Sequence, residues 1–125
     1  MKKRVLLADD TQLMRELLRD ALDRDKFEIV GEALTGEEAV IKYGELKPDL
    51  VIMDINMPKM NGIEALTVIM KKHPDAKIVM CSDQKYQGMI LRAIKNGAKD
   101  FIVKPFKKDD VLEAVNKAFE EDEEA

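Results

Sequence analysis

The segment Leu50-Val51-Ile52-Met53-Asp54 decides the fold of this chain, because a run of apolar residues ends there abruptly in a carboxylate. The run is short, partly β-branched and uninterrupted by polar residues, which is typical of a parallel strand buried on both faces. Pro58 and the pair Asn61-Gly62 then break up the loop that follows. Asp54 is therefore predicted to lie where a buried strand emerges, where it needs a nearby cation or donors to stay ionised.

Strand-like and helix-like patterns alternate along the whole chain. The predicted strands cover residues 5–8, 27–33, 50–53, 77–82 and 100–104. The predicted helices cover, with approximate ends, residues 11–23, 35–46, 62–72, 85–96 and 108–121. Five strands alternating with five helices predict a three-layer α/β fold around a parallel sheet.

Local patterns also predict one helix cap and the buried faces of three helices. Thr35 and Glu38 are placed to form a capping box at the start of the second helix. The first helix is predicted to bury an apolar stripe made of Leu13, Leu17, Leu18, Ala21 and Leu22. The fourth helix is predicted to bury Met89, Ile90, Ala93 and Ile94, and the last to bury Val111, Leu112, Val115 and Phe119.

Length and composition predict one soluble domain. A chain of 125 residues with 46% hydrophobic and 37% charged residues can bury a core without disulfides. We expect a domain over residues 1–120 and an acidic tail over residues 121–125. No apolar run approaches the roughly 18 residues that span a bilayer, and the apolar part of the first strand is too short for a signal peptide. We therefore expect a cytoplasmic protein without membrane contact.

Charge and metal-binding residue types exclude two further classes of function. The net charge is −4, and the acids at residues 120–124 account for five negative charges, so the body is close to neutral. Clustered Lys and Arg are missing, which argues against nucleic-acid binding. Cys81 is the single cysteine and is expected to be a buried side chain, while His73 has no partner for a zinc site.

Polar side chains stand at the carboxyl ends of the predicted strands. Asp9 and Asp10 follow the first strand, Asp54 the third, Ser82 ends the fourth and Lys104 the fifth. Ligands of open α/β sheets bind outside these ends, at the point where strand order reverses. If the first and third strands flank that point, the three carboxylates converge there with a hydroxyl and an ammonium group close by.

Such a cluster points to phosphoryl transfer. Three neighbouring carboxylates repel one another, and Lys104 neutralises one charge. Oxygen ligands that only partly surround a site suit Mg²⁺, which keeps several of its waters and is often bound by phosphate oxygens as well. A carboxylate nucleophile beside a metal, a hydroxyl and an ammonium group has the parts that phosphoryl transfer requires. The residues themselves therefore predict an aspartyl-phosphate site.

The same motifs resemble the receiver domain of two-component response regulators, and within it the single-domain chemotaxis regulators. The resemblance covers essentially the whole chain and rests on Asp9-Asp10, Asp54-Ile55-Asn56-Met57-Pro58, Ser82, Gly97-Ala98-Lys99-Asp100-Phe101 and Lys104-Pro105-Phe106. It implies a flavodoxin-like (βα)5 doubly wound sandwich whose parallel sheet has the order 2-1-3-4-5.

The resemblance also implies a role for each site residue. Asp54 would accept a phosphoryl group from a phosphohistidine, with Ser82 and Lys104 contacting phosphoryl oxygens. Mg²⁺ would be bound by Asp10 and Asp54 directly, by Asp9 mostly through water, and by the backbone carbonyl of Asn56. The Lys104–Pro105 bond would be cis, and Phe101 would switch inward together with Ser82.

The resemblance further implies partners. We expect a CheA-like histidine kinase as phosphodonor and a flagellar motor switch protein or another effector as target, with a phosphatase as a third partner. The output surface would comprise the fourth helix, the fifth strand and the fifth helix. A monomeric signalling domain is expected, rather than an enzyme.

One position departs from the family pattern. Asp83 follows Ser82 where the family usually has a small residue. A carboxylate beside a phosphate site repels an anionic donor, so slower phosphorylation or an altered phosphate lifetime is expected. Gln84 is a second candidate modulator, because it lies where the family tunes the attacking water.

The sequence also fits other functions. Within the family, the chain could be a phosphorelay shuttle, a phosphate sink or a phosphorylation-independent pseudo-receiver. Aspartate-nucleophile phosphohydrolases usually have a second acid two residues after the nucleophile, where this chain has Asn56. A nucleotide-binding Rossmann module is disfavoured, because no Gly-x-Gly-x-x-Gly follows the first strand.

Overall fold

All five strands lie in one sheet of the computed structural model, which describes residues 1–83 and 87–120. The strands are β1 Lys3–Ala8, β2 Phe27–Ala33, β3 Leu50–Asp54, β4 Ile78–Ser82 and β5 Asp100–Val103. The helices are α1 Gln12–Ala21, α2 Gly36–Leu46, α3 Gly62–Lys72, α4 Gln87–Lys95 and α5 Lys108–Ala118. The strand order is β2-β1-β3-β4-β5 and every neighbouring pair is parallel. The predicted fold and strand order are confirmed.

The central strand β3 is buried on both faces, as its unbroken apolar run predicts. Val51 and Met53 point into one core, which α2, α3 and α4 cover. Leu50 and Ile52 point into a second core, which α1 and α5 cover. Burying a side chain of this size contributes about 1.5–3 kcal/mol. Two packed cores thus hold the carboxyl end of β3 in a fixed position.

Three apolar residues that were expected in the core are exposed instead. Leu13 and Leu17 of α1 are 63% and 42% exposed, and Ile94 of α4 is 44% exposed. Helix α1 packs on the sheet through Leu18 and Ala21, with Leu22 just after its end. Successive residues of a helix are about 100° apart, so Leu13 and Leu17 lie beside this packed face and not in it. Ile94 is likewise turned away from Ala93, the fully buried residue of α4.

The predicted capping box of α2 is only half formed. The Thr35 hydroxyl accepts a hydrogen bond from the backbone N–H of Glu38 at 3.0 Å, but the Glu38 carboxylate accepts from Leu34 rather than from Thr35. A complete box occurs instead at α3, between Asn61 and Glu64. This pair fixes the end of the loop that follows the site strand.

Some predicted element ends differ from those observed. Helix α1 ends at Ala21 rather than near Asp23, and α5 ends at Ala118 rather than near residue 121. Residues 85 and 86, at the predicted start of the fourth helix, and the acidic tail over residues 121–125 lie outside the described residues. Within residues 1–83 and 87–120, no helix has the length and apolarity that crossing a bilayer requires.

Candidate functional site

Three carboxylates meet at the carboxyl edge of the sheet. Strands β1 and β3 are neighbours, with Ala8 opposite Met53, so the acids that come next in each chain segment lie side by side. One carboxylate oxygen from each of Asp9, Asp10 and Asp54 lies within 4.8 Å of the other two. The predicted convergence of these carboxylates is therefore confirmed.

Asp9 is the most enclosed of the three acids, with 1% of its surface exposed. Its carboxylate accepts hydrogen bonds from the Thr11 backbone N–H at 2.9 Å and the Thr11 hydroxyl at 3.1 Å. Its other oxygen accepts from Lys104 Nζ at 2.9 Å. Because its hydrogen-bonding capacity is largely used within the protein, Asp9 is a fixed anion at the back of the cluster.

Asp54 lies at the centre of the site and is 6% exposed. Lys104 Nζ is 3.5 Å from Oδ2, and the Asn56 backbone N–H donates to Oδ1 at 3.3 Å. Asp10, by contrast, is exposed to solvent. The cluster therefore has a buried side that the protein contacts and an open side that faces water.

Burial and neighbouring charges shift the titration of the site. Burial raises the pKa of Asp54 to about 6, with Asp9 adding to the rise and the Lys104 ammonium opposing it. Burial alone would lower the pKa of Lys104, but the hydrogen bond to Asp9 and the charge of Asp54 outweigh it, so the pKa of Lys104 is raised. At pH 7.5 Lys104 is thus cationic and Asp54 is mostly ionised, which is the state of a nucleophile or metal ligand.

The polar residues predicted at the ends of β4 and β5 also lie at this edge of the sheet. Ser82 is fully buried at the end of β4, and its carbonyl accepts a hydrogen bond from the Lys104 N–H at 2.9 Å. The Lys104–Pro105 bond is cis, as the resemblance implied. Phe101 is half-buried against the core that α4 covers.

Of the two candidate modulators, the structure describes Asp83. Asp83 is exposed, and its carboxylate accepts a long hydrogen bond of 3.4 Å from the side-chain amide of Asn56. Asp83 therefore lies at the mouth of the site, as its position after Ser82 suggested. Gln84 lies outside the described residues.

Three residues that support the site were not identified from the sequence. Thr11 was placed as a helix start, without its hydrogen bonds to Asp9. Arg15 donates to the Asp9 carbonyl at 2.7 Å and to Glu32 of β2 at 3.1 Å, a tertiary contact for which the sequence has no local signal. Gly62 packs against the Asp54 backbone so closely that a Cβ would lie 2.0 Å from its carbonyl oxygen. The Asn61-Gly62 turn signal marked this position, but not its contact.

The donor set of the cluster fits Mg²⁺. All its charged ligand atoms are carboxylate oxygens, which this hard cation prefers over nitrogen or sulfur. The negative charge exceeds what Lys104 neutralises, and the exposed side at Asp10 leaves room for the waters that Mg²⁺ retains. These residues would favour a small divalent cation over zinc, which takes His and Cys ligands.

Comparison with known proteins agrees with this geometry. Residues 5–116 match the response regulator receiver domain family. The chemotaxis protein CheY of Thermotoga maritima is 56% identical over 117 residues, covering 94% of this chain and 98% of the relative. CheY of Listeria monocytogenes is 54% identical over 115 residues, covering 92% and 97%. In the CheX-CheY-BeF3-Mg²⁺ complex from Borrelia burgdorferi, the matching chain is 37% identical with a TM-score of 0.90, covering 94% of this chain and 89% of that one. The chain therefore belongs to the response regulator receiver domain family of two-component signalling.

Proposed function

We propose that this protein is a chemotaxis receiver that is phosphorylated on Asp54 by a CheA-like histidine kinase and signals by binding the flagellar motor switch. The observation that carries the proposal is the buried Asp54 carboxylate beside Lys104, within a cluster of two further acids. Relatives that match nearly the full length of the chain are named chemotaxis protein CheY. The chemistry of the site and the names of the relatives thus support the same function.

The proposed reaction is an in-line displacement at phosphorus. An ionised Asp54 oxygen forms a bond to phosphorus while the phosphorus–nitrogen bond of the phosphohistidine breaks. The imidazole nitrogen keeps the electron pair of the broken bond and takes up a proton. Lys104, 3.5 Å from Asp54, would neutralise a phosphoryl oxygen, and the Ser82 hydroxyl would donate to another after a local movement.

Asp10 and Asp54 are the proposed direct ligands of Mg²⁺, together with the backbone carbonyl of Asn56. The Asp9 carboxylate already accepts three hydrogen bonds, two from Thr11 and one from Lys104, which supports an indirect contact through water. Bound Mg²⁺ supplies charge neutralisation for the phosphoryl oxygens. Receiver domains in general bind Mg²⁺ at this acidic pocket.

The proposed output surface is formed by α4, β5 and α5. A groove of about 630 Å³ runs along β5 and α5, between Phe101 and Lys117. On α4, Leu91 and Ile94 expose 61% and 44% of their surface. An apolar face beside a mixed-charge groove suits a partner helix or peptide. Movement of Ser82 and Phe101 would couple phosphorylation to this face.

The proposal is tested by intact mass spectrometry after incubation with acetyl phosphate and Mg²⁺. We expect a single phosphoryl adduct that is lost in Asp54→Asn and in excess chelator. A kinase pull-down and a motor-switch binding assay with the phosphorylated protein then test the chemotaxis partners. Transfer to a histidine phosphotransfer protein without binding to the motor switch would favour a phosphorelay shuttle instead. The absence of any adduct, from small donors and from a cognate kinase, would overturn the proposal and favour a pseudo-receiver.

A further inference from the structure

Asn56 joins the acceptor carboxylate to a second carboxylate at the mouth of the site. Its backbone N–H donates to Asp54 Oδ1 at 3.3 Å, and its side-chain amide donates to Asp83 Oδ1 at 3.4 Å. These contacts link the loop after β3 to the loop after β4. The Asp83 carboxylate is therefore held near Asp54 by one intervening residue.

Asp83 differs from Asp9 and Asp54, because no Lys or Arg side chain contacts it among the described residues. Asp9 and Asp54 share the ammonium group of Lys104, at 2.9 and 3.5 Å. Asp83 is exposed, and its hydrogen bond comes from a neutral amide. A neutral donor orients a carboxylate but leaves its charge in place, so the mouth of the site carries a fixed negative charge.

We propose that Asp83 determines which small phosphodonors react with Asp54, by disfavouring donors that carry more negative charge. This inference rests on the proposed phosphorylation of Asp54. Asp83 is linked to the acceptor through the two hydrogen bonds of Asn56, at 3.3 and 3.4 Å. Repulsion between exposed charges is screened by salt, with a Debye length of about 8 Å at physiological ionic strength. Repulsion also grows with the charge of the donor.

The direct test compares two small donors of different charge. Acetyl phosphate is a dianion at neutral pH, whereas phosphoramidate is a monoanion there. In either reaction an Asp54 oxygen bonds to phosphorus while acetate or ammonia leaves. Rate constants are measured by intact mass for the wild-type protein and Asp83→Asn, at low ionic strength and at saturating Mg²⁺ determined separately for each variant.

We expect Asp83→Asn to react about 3- to 10-fold faster with acetyl phosphate at low ionic strength, with a smaller gain for phosphoramidate. Both gains should shrink in high salt, because the effect is electrostatic. Asp83→Glu, which keeps the charge, should remain close to the wild-type rate. The matched control is Asp25→Asn, which removes an exposed charge from the loop between α1 and β2, at the opposite end of the sheet.

The possible results separate this inference from the proposed function. Equal acceleration with both donors, an acceleration that persists in high salt, or an unchanged rate in Asp83→Asn would overturn the role of Asp83, while an adduct on Asp54 would keep the proposed function. An adduct that forms in Asp83→Asn but not in the wild type would support both. No adduct in either protein with either donor would overturn the inference together with the function on which it rests.

Discussion

Lys104 Nζ lies 3.5 Å from Asp54 Oδ2, so the end of β5 supplies a cation to the end of β3 across the intervening strand β4. The same ammonium group also donates to Asp9 at 2.9 Å. One cation therefore serves two buried carboxylates, and the site retains excess negative charge.

Removing the Asp54 charge should stabilise the metal-free protein. The pKa of Asp54 is about 6 in the folded state against an ordinary value of 3.8, so the folded state binds the proton more tightly. The stabilisation that the protonated Asp54 gives the folded state is fully present below about pH 3.8 and is lost as the pH rises through about 6. In chelator at pH 7.5, Asp54→Asn should thus be more stable by about 1–3 kcal/mol. Urea unfolding against pH measures this difference.

The gain in Asp54→Asn should shrink as the pH falls through about 6 and approach zero only below about pH 3.8, where the wild-type carboxyl is protonated in both states. Asp75→Asn, an exposed acid far from the site, should show no comparable gain. A destabilised Asp54→Asn, or a difference that does not change with pH, would contradict the origin assigned to the raised pKa.

Mg²⁺ should stabilise the folded protein at pH 7.5. Binding at ten times the dissociation constant adds about 1.4 kcal/mol, which corresponds to roughly 3–6 °C in melting temperature for a domain of this size. The shift should be much smaller at pH 5, below the Asp54 pKa of about 6, because protonation removes a ligand. Differential scanning fluorimetry with and without Mg²⁺ gives both values.

Asp10→Asn provides the matching variant, since Asp10 is exposed and its replacement leaves the packed core intact. We expect the Mg²⁺ shift to be largely lost in this variant and retained in Asp25→Asn. An undiminished shift in Asp10→Asn would exclude Asp10 as a ligand.

Loss of Lys104 should destabilise the fold through Asp9. Lys104→Met leaves the Asp9 carboxylate, which is 1% exposed, without its cation. Breaking such a buried pair costs about 2–4 kcal/mol in the free energy of unfolding, discounted here because Thr11 still donates to Asp9. Lys108→Met, a change at an exposed lysine, serves as the control in the same unfolding assay.

A double variant measures the interaction energy between Asp9 and Lys104. Adding Asp9→Asn to Lys104→Met should recover part of the lost stability, because the unpaired charge is removed. If the two single effects simply add, the interaction between Asp9 and Lys104 contributes little.

Glycine at position 62 should be required for the site. A Cβ there would lie 2.0 Å from the Asp54 carbonyl oxygen and 2.9 Å from the Ile55 Cα, so Gly62→Ala forces the backbone after Asp54 to move. We expect a loss of about 2–4 kcal/mol and weaker Mg²⁺ binding, since overpacked sites relax by shifting their backbone. Gly44→Ala is the matched control, because nothing lies within 4 Å of the added methyl group in α2. That control should gain up to about 1 kcal/mol; equal effects at both positions would refute the close contact at Gly62.

The sequence was sufficient for the parts of the site that local patterns determine. Asp54 ends an unbroken apolar run, and parallel strands end at a common edge, so Asp9, Asp10 and Asp54 were predicted to meet if the first and third strands are neighbours, and they do meet. The family resemblance then supplied the strand order and the cis bond before Pro105. The roles of Ser82 and Phe101 stay predictions.

Contacts between distant segments could not be predicted in this way. The bridge from Arg15 to Asp9 and Glu32 depends on how α1 lies against β2, which no local pattern encodes. The exposure of Leu13 and Leu17 depends on the rotation of α1 about its axis, and helical periodicity defines a stripe only to within about one residue step. The Asn56–Asp83 contact depends on two loops from different strands.

The most direct test of the central claim is to locate the phosphoryl group on the chain. The protein is treated with acetyl phosphate and Mg²⁺, the acyl phosphate is reduced with borohydride, and the peptides are mapped by mass spectrometry. We expect that the aspartate at position 54 alone is converted to homoserine, and that no conversion occurs in excess chelator. Conversion at Asp9 or Asp10 instead, or no conversion at Asp54 when the phosphorylated kinase is the donor, would contradict it.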